Sequence, residues 1–124
     1  MGGTHLEPVM GTVVGMSSPE PLPPAGLEAA LEILHEIDRV FTTWDAGSPV
    51  SRLRAGTARL DELDESVLIC GVVERCKLAR ELTGGAFDPW AMPGGFDPTG
   101  LVKGWAAARA LDALCAAGAT NVMV

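Results

Sequence analysis

The chain is poor in basic residues, with nine Lys and Arg against sixteen Asp and Glu and a formal net charge of −7. Nucleic acid and anionic membrane surfaces both need a basic footprint, so neither is an expected partner. No apolar run approaches the ~20 residues of a membrane-spanning helix. Met1 to Pro8 lacks the basic and then apolar pattern of a secretory leader. Cysteine is scarce and odd in number: Cys70, Cys76 and Cys115 include no Cys-x-x-Cys pair. All three lie in apolar helical patterns, which predicts reduced, buried thiols and a soluble protein of the cytoplasm. Neither histidine, His5 or His35, is near a plausible Ser or Cys nucleophile in sequence. No Gly-Lys-Ser/Thr phosphate loop or Gly-x-Gly-x-x-Gly fingerprint occurs. No two acids are singled out as a hydrolytic pair.

What is present is a 124-residue chain, 48% hydrophobic and 20% charged, enough for one domain with a modest core. A nucleotide ligand is compatible with the negative balance, because its phosphates can be met locally by a lysine, a helix end and a divalent cation.

Glu7 to Met16 is β-branched and bounded by Pro8 and Ser17-Ser18-Pro19. It reads as a strand, with Gly11 and Gly15 at a bulge or close approach. His5 falls before it, in an N-terminus expected to be unstructured. Ser17 to Ala25 holds four prolines and reads as a rigid connector. From Gly26 to Phe41, Leu27, Leu31, Leu34, Ile37 and Phe41 recur at helical steps. His35 in this helix has no Cys or Asp at ligand spacing and reads as a surface or cap histidine. Thr42 to Leu53 is a polar interruption, in which Trp44 is either a core plug for the helix end or a stacking platform. Ala58 to Leu60 reads as a short strand.

A second helix is expected from Asp64, as N-cap, to Leu82. Its apolar positions cover more than one face, predicting burial on two sides. Gly84 and Gly85 end it. The stretch from Leu82 to Lys103 then packs six glycines, counting Gly104, and three prolines between two helices. It is too punctuated for a helix or strand and too apolar for a solvated linker. The third helix opens at Asp97-Pro98-Thr99-Gly100, capped by Asp97 or by Thr99. Gly100, Gly104 and Ala108 form a stripe of small residues that permits close approach. Gly118 ends the helix, and Ala119 to Val124 reads as a strand. The free N–H groups at the third helix start favour an anion. Lys103 lies one turn in, and Asp88 or Asp97 can take part in binding a metal. The alternative is a glycine-rich turn that only packs, with Lys103 on the surface.

Four blocks occur in order: Met10-Gly11-Thr12; Phe41-Thr42-Thr43-Trp44 followed by Ser48 and Val50-Ser51-Arg52-Leu53; Leu82-Thr83-Gly84-Gly85-Ala86-Phe87-Asp88-Pro89; and Asp97-Pro98-Thr99-Gly100-Leu101-Val102-Lys103-Gly104. Together they resemble the FAD:protein FMN transferase family, the ApbE-like family once named for thiamine biosynthesis lipoproteins. The resemblance covers nearly the whole chain. It implies an α+β fold with a mixed or antiparallel sheet and packed helices, part of an ApbE-like (T-fold-like) domain. It also implies an enzyme that uses magnesium to transfer FMN from FAD to a Thr or Ser hydroxyl of an acceptor protein, releasing AMP.

Carried over by position, Met10 lines the flavin site, and Trp44 stands where the family has an aromatic, usually tyrosine, on the cofactor. Ala86, Phe87 and Asp88 contact FAD, Gly100 offers its carbonyl to magnesium, and Lys103 contacts the cofactor. Arg54 departs from the family, standing where asparagine commonly follows Ser-Arg-Leu. Family domains continue into further magnesium ligands, so residues 1–124 are expected to be a single partial domain without a complete catalytic set. Its unpaired sheet edges are expected to favour self-association or a partner carrying the rest. A flavin-binding remnant or assembly module is the alternative to an enzyme.

Overall fold

A computed structural model describes residues 2–124. The protein is α+β, with one two-stranded antiparallel sheet and four α-helices among the described residues. Two compact units result. The first comprises the residues up to Asp38 together with Lys103–Val124, and the second is Arg39–Val102.

In the first unit, β1 (Gly3–Val9) and β2 (Thr12–Ser18) form a hairpin in register from Gly3 opposite Ser18 to Val9 opposite Thr12. The single strand expected over Glu7–Met16 is thus two strands, reversing at Met10-Gly11. Both turn residues are left-handed, with φ of 56° and 68°. That is the backbone a two-residue hairpin loop needs to match the strand twist. Glycine adopts it freely; methionine does so against the crowding of its Cβ.

His5, expected in an unstructured terminus, sits in β1 with Nε2 2.8 Å from Oε1 of Glu7. The other Glu7 oxygen is 2.6 Å from Nε2 of His35. His35 is a surface histidine, as expected, on α1 (Pro24–Phe41). The hydrogen bonds from His5 and His35 hold the Glu7 carboxyl below its ordinary range. A depressed carboxyl contributes stability above its unfolded pKa and loses that contribution as pH falls through its folded pKa. Glu7→Gln should therefore lower the melting temperature near neutral pH, and the two melting curves should converge as acidification through the carboxylate range protonates Glu7. A constant gap between them across that range would show that the carboxylate contributes nothing.

Helix α1 begins with proline in its first turn, where a missing N–H costs nothing. It buries Ala30, Leu34, Ile37, Val40 and Phe41, while Glu28, Glu32 and Glu36 are exposed. Gly26 is also buried. A Cβ there would lie 2.6 Å from that of Ala117 and 3.4 Å from Cα of Leu114, so glycine is what lets the chains approach.

Helix α4 (Thr99–Ala116) buries Val102, Ala106, Ala110 and Leu114, at strict four-residue spacing. The stripe expected to permit close approach is not the buried one: Gly104 has open space where a side chain would go, and Ala108 is exposed. After Gly118 (φ 100°) the segment expected as a strand makes only an isolated bridge, Ser17 with Met123 through two 2.9 Å bonds. Asn121, at φ 54°, is bent out of extended geometry.

The second unit contains α2 (Pro49–Ala55), a helix inside what reads in sequence as a polar interruption. Ser48 caps it. Its hydroxyl accepts from Ser51 N at 3.2 Å and donates to the Thr42 carbonyl, and the residue is 3% exposed. Ser48→Ala loses the cap and the bond to the Thr42 carbonyl, which keeps only the longer 3.3 Å bond from the Ser51 hydroxyl. The expected cost is about 1–2 kcal/mol, read from the denaturant midpoint with the slope unchanged. Gly56, at φ 72°, closes α2 by donating to Arg52 and Leu53 carbonyls.

The short strand expected over Ala58–Leu60 is instead a 3₁₀ turn, Leu60–Glu62. Helix α3 (Ser66–Leu82) starts after Glu65 rather than at an Asp64 cap, and no side chain caps it. It buries only Ile69, Val72 and Cys76. Val67, Leu78 and Leu82 are exposed, so the two-sided burial expected from its apolar count is corrected to one. The three thiols are free, but only Cys76 is buried; Cys70 and Cys115 are exposed. Burial alone pushes the Cys76 thiol up to about 11, leaving it inert at neutral pH.

Candidate functional site

The glycine-rich stretch is an ordered loop within the second unit. Thr83 ties its start: the hydroxyl donates to Ala79 O at 2.9 Å and accepts from Phe87 N at 3.0 Å. Gly84 and Gly85 are left-handed, and Gly85 N returns to Arg80 O at 2.9 Å, which satisfies a carbonyl at the end of α3. A 3₁₀ turn follows at Pro89–Ala91, capped by Asp88, whose Oδ1 accepts from Trp90 N at 3.1 Å. The Trp90 indole lies 5.4 Å from the Phe96 ring, and the Arg80 guanidinium lies 5.1 Å from its centroid. A polar residue and an aromatic pair thus hold a segment with no regular structure.

The loop ends at α4. Asp97 Oδ1 accepts from Thr99 N at 3.0 Å and from the Thr99 hydroxyl. Leu101 N and Val102 N both donate to Pro98 O. Of the two caps that the sequence allows, Asp97 is the one used. Gly100 is in the first helical turn. A Cβ there would lie 3.2 Å from Cε2 of Phe87, so its close neighbour is that ring. As in any α-helix, the Gly100 carbonyl points toward the C-terminus of α4, and a second acceptor lone pair is reachable only from the side.

These residues line a cleft of about 440 Å³, within the range of small-molecule sites. Gly85 to Pro89, Ala91 and Met92 line it from the loop, and Asp97, Thr99 and Gly100 from the start of α4. Of the residues singled out in sequence, the fold therefore brings five together: Ala86, Phe87, Asp88, Asp97 and Gly100. Trp44 is elsewhere in the same unit and 96% exposed, which removes the core-plug alternative. Met10, at the hairpin turn, and Lys103, exposed on α4, belong to the first unit.

Two carboxylates in the cleft, Asp88 and Asp97, each have one oxygen engaged by a backbone N–H. All-oxygen donors suit magnesium, which keeps waters and takes substrate phosphate oxygens for its remaining positions. Among the described residues no group of three or more His, Cys, Asp or Glu is placed to hold an ion. Asp88 and Asp97 by themselves supply too few oxygens for a cation's full ligand set. The N-terminal end of α4 adds a positive field toward the same space.

The sequence alone does not reveal Thr99 as part of this site or Thr83 as the tie that holds its loop. Thr83 sits inside the quoted Thr-Gly-Gly block, and its spacing of four to both Ala79 and Phe87 was the available signal.

A profile of the ApbE family matches residues 10–94, and the chain belongs to that family. Membership carries a transferase-type function that involves a flavin. The match includes Met10, Trp44 and Ala86–Asp88 and stops before Gly100 and Lys103. No curated protein and no solved structure matches the chain significantly. No helix among the described residues is long and apolar enough to cross a membrane.

Proposed function

We propose that the chain is the flavin-nucleotide part of an FAD:protein FMN transferase. In that reaction a Thr or Ser hydroxyl oxygen of an acceptor protein bonds to the phosphorus of the FMN half of FAD. The P–O bond to the AMP half breaks, AMP leaves, and the hydroxyl proton passes to a base or to solvent. Catalysis of this kind rests on positioning and charge stabilisation. The observation that carries the reading is the cleft that joins Ala86, Phe87 and Asp88 to the start of α4, in a chain of this family.

Thr99 N and its hydroxyl are taken by Asp97, and Leu101 N and Val102 N by Pro98 O, so the Gly100 N–H is the first-turn donor that would meet the diphosphate, and Phe87 would present an apolar surface to the nucleotide. Asp88 and Asp97 would hold magnesium through their second oxygens, with the Gly100 carbonyl approached from the side. Magnesium, when bound, offsets charge on the diphosphate oxygens. Met10, Trp44 and Lys103 are assigned to the flavin nucleotide on the family resemblance. Residues 1–124 are read as a single partial domain, whose missing metal ligands come from elsewhere. Three free thiols fit action in the cytoplasm.

The test is incubation with FAD, magnesium and an acceptor protein, read by intact mass for one FMN adduct per acceptor. The small number of metal ligands favours a second reading, a flavin-binding module without transfer activity. Quenching of flavin fluorescence with no adduct would select that reading. Neither binding nor adduct, also when the remainder of the domain is supplied, would sink both.

A further inference from the structure

We propose that Arg54 is a positioning residue for this cleft: its guanidinium pins the Met92–Gly95 turn, and so sets where Met92 and Asp97 stand against the flavin nucleotide. The proposal rests on the reading of the cleft as the flavin site.

Arg54 is in the last turn of α2, a helix held at both ends by the Ser48 and Gly56 caps. Its Nη2 donates to the carbonyl of Pro93 at 2.8 Å. Its Nε is buried without an acceptor in a side chain that is half-buried overall, so the bond from Nη2 fixes where the guanidinium sits. The turn it grips is closed by Gly95 N donating to Met92 O at 3.0 Å. Just beyond, Asp97 N donates to Pro89 O at 2.9 Å. Ala91 and Met92 line the cleft on one side of this turn, and Asp97 lines it on the other. Displacing Pro93 would therefore move both walls.

Gly94 is matched to the arginine. Its φ is 83°, and a Cβ there would lie 2.7 Å from Nη2 of Arg54. A side chain at position 94 would occupy the space that the guanidinium uses. Two independent features, a charge-assisted bond and a cleared approach, thus converge on one contact between distant parts of the sequence. Arg54 touches no cleft surface, so its effect would pass through the turn.

The test compares Arg54→Ala, Arg54→Lys and Asp88→Asn with the parent chain. Amide hydrogen exchange reports the turn, and FAD titration with the kinetics of acceptor labelling reports the cleft. Arg54→Ala should speed exchange at Gly95 and Asp97 by about tenfold, as expected for loss of a hydrogen bond to a charged group. Exchange at Leu101 should stay unchanged. The FAD requirement should rise by a similar factor with the turnover rate kept, because binding geometry and not chemistry is disturbed. Arg54→Lys can still donate one bond to Pro93 O and should recover part of both effects, which a general loss of folding would not allow. Unchanged exchange at Gly95 in Arg54→Ala would overturn the latch. Faster exchange with unaltered FAD affinity, while Asp88→Asn weakens binding, would overturn the positioning role alone. Unaltered affinity in both variants would overturn the flavin cleft together with the role assigned to Arg54.

Discussion

Asp88→Asn is expected to lower acceptor labelling at saturating acceptor by at least about tenfold and to raise the magnesium concentration needed. Carboxylates that act only around a metal's ligands already cost about 10- to 100-fold when lost. The choice of asparagine separates charge from structure. Its side-chain oxygen can still accept from Trp90 N, as Asp88 Oδ1 does now, so the 3₁₀ turn at Pro89–Ala91 should keep its cap. Asp88→Ala would remove both roles, and its larger loss would include a displaced Trp90. The measurement is labelling rate against magnesium concentration, with far-UV circular dichroism as the check on folding. A wild-type magnesium requirement in Asp88→Asn would exclude Asp88 from the metal's surroundings and leave it a cap only.

Leu34→Ala is the second large expected effect, and it bears on the fold alone. Leu34 is fully buried on α1, in the first unit with Met16, Ala30, Ile37, Ala110 and Leu114, which are all almost completely buried. Truncation removes transfer free energy and leaves a cavity that neighbours fill incompletely. Leu→Ala at such sites costs about 2–5 kcal/mol. Ordinary domains have only about 5–15 kcal/mol of net stability, so this one change can consume much of it. Urea denaturation gives the number, and a loss below about 1 kcal/mol would mean that the site collapses or is already loose. Leu27 or Leu31, both only half-buried on the same helix, should cost less when truncated.

The helices were legible in sequence because their signals are periodic and local. The pattern from Gly26 to Phe41 gave α1 to within two residues at its start and none at its end. The glycine pair at 84–85 and the Asp97-Pro98 pair marked the ends of the loop, because each residue is suited to the backbone it must adopt. The hairpin was missed for the opposite reason. Its turn is Met10-Gly11 rather than an asparagine or aspartate before glycine, and Val9 on one side and Thr12, Val13 and Val14 on the other make the turn look like part of one strand. Helix α2 was hidden in a polar, proline-containing stretch. Its signals, Ser48 as cap with Pro49 after it and Gly56 at the end, are caps without an apolar period between them.

Which face a helix buries was less legible than where it lies. Helix α3 carries apolar residues on several sides yet buries one line, and α4 turns Ala106 and Ala110 inward rather than Gly104 and Ala108. Both depend on what packs against the helix, which no local pattern states. In the candidate site, the residues in the contiguous blocks were found together, since the Ala86–Asp88 run and Gly100 share one cleft. The Arg54–Pro93 contact was not, because it spans 39 residues and its acceptor is a backbone carbonyl. Arg54 stood out only as a departure from the usual asparagine.

Met10 occupies a left-handed turn for which asparagine or glycine would be better suited. A selection for heat resistance alone would drift the turn toward Asn-Gly, since such replacements lower local strain without altering the hairpin register. If the thioether meets the flavin, that drift would sacrifice the ligand for the scaffold. Variants gathered by thermal screening should therefore be sorted by their residue at position 10 before their activities are compared.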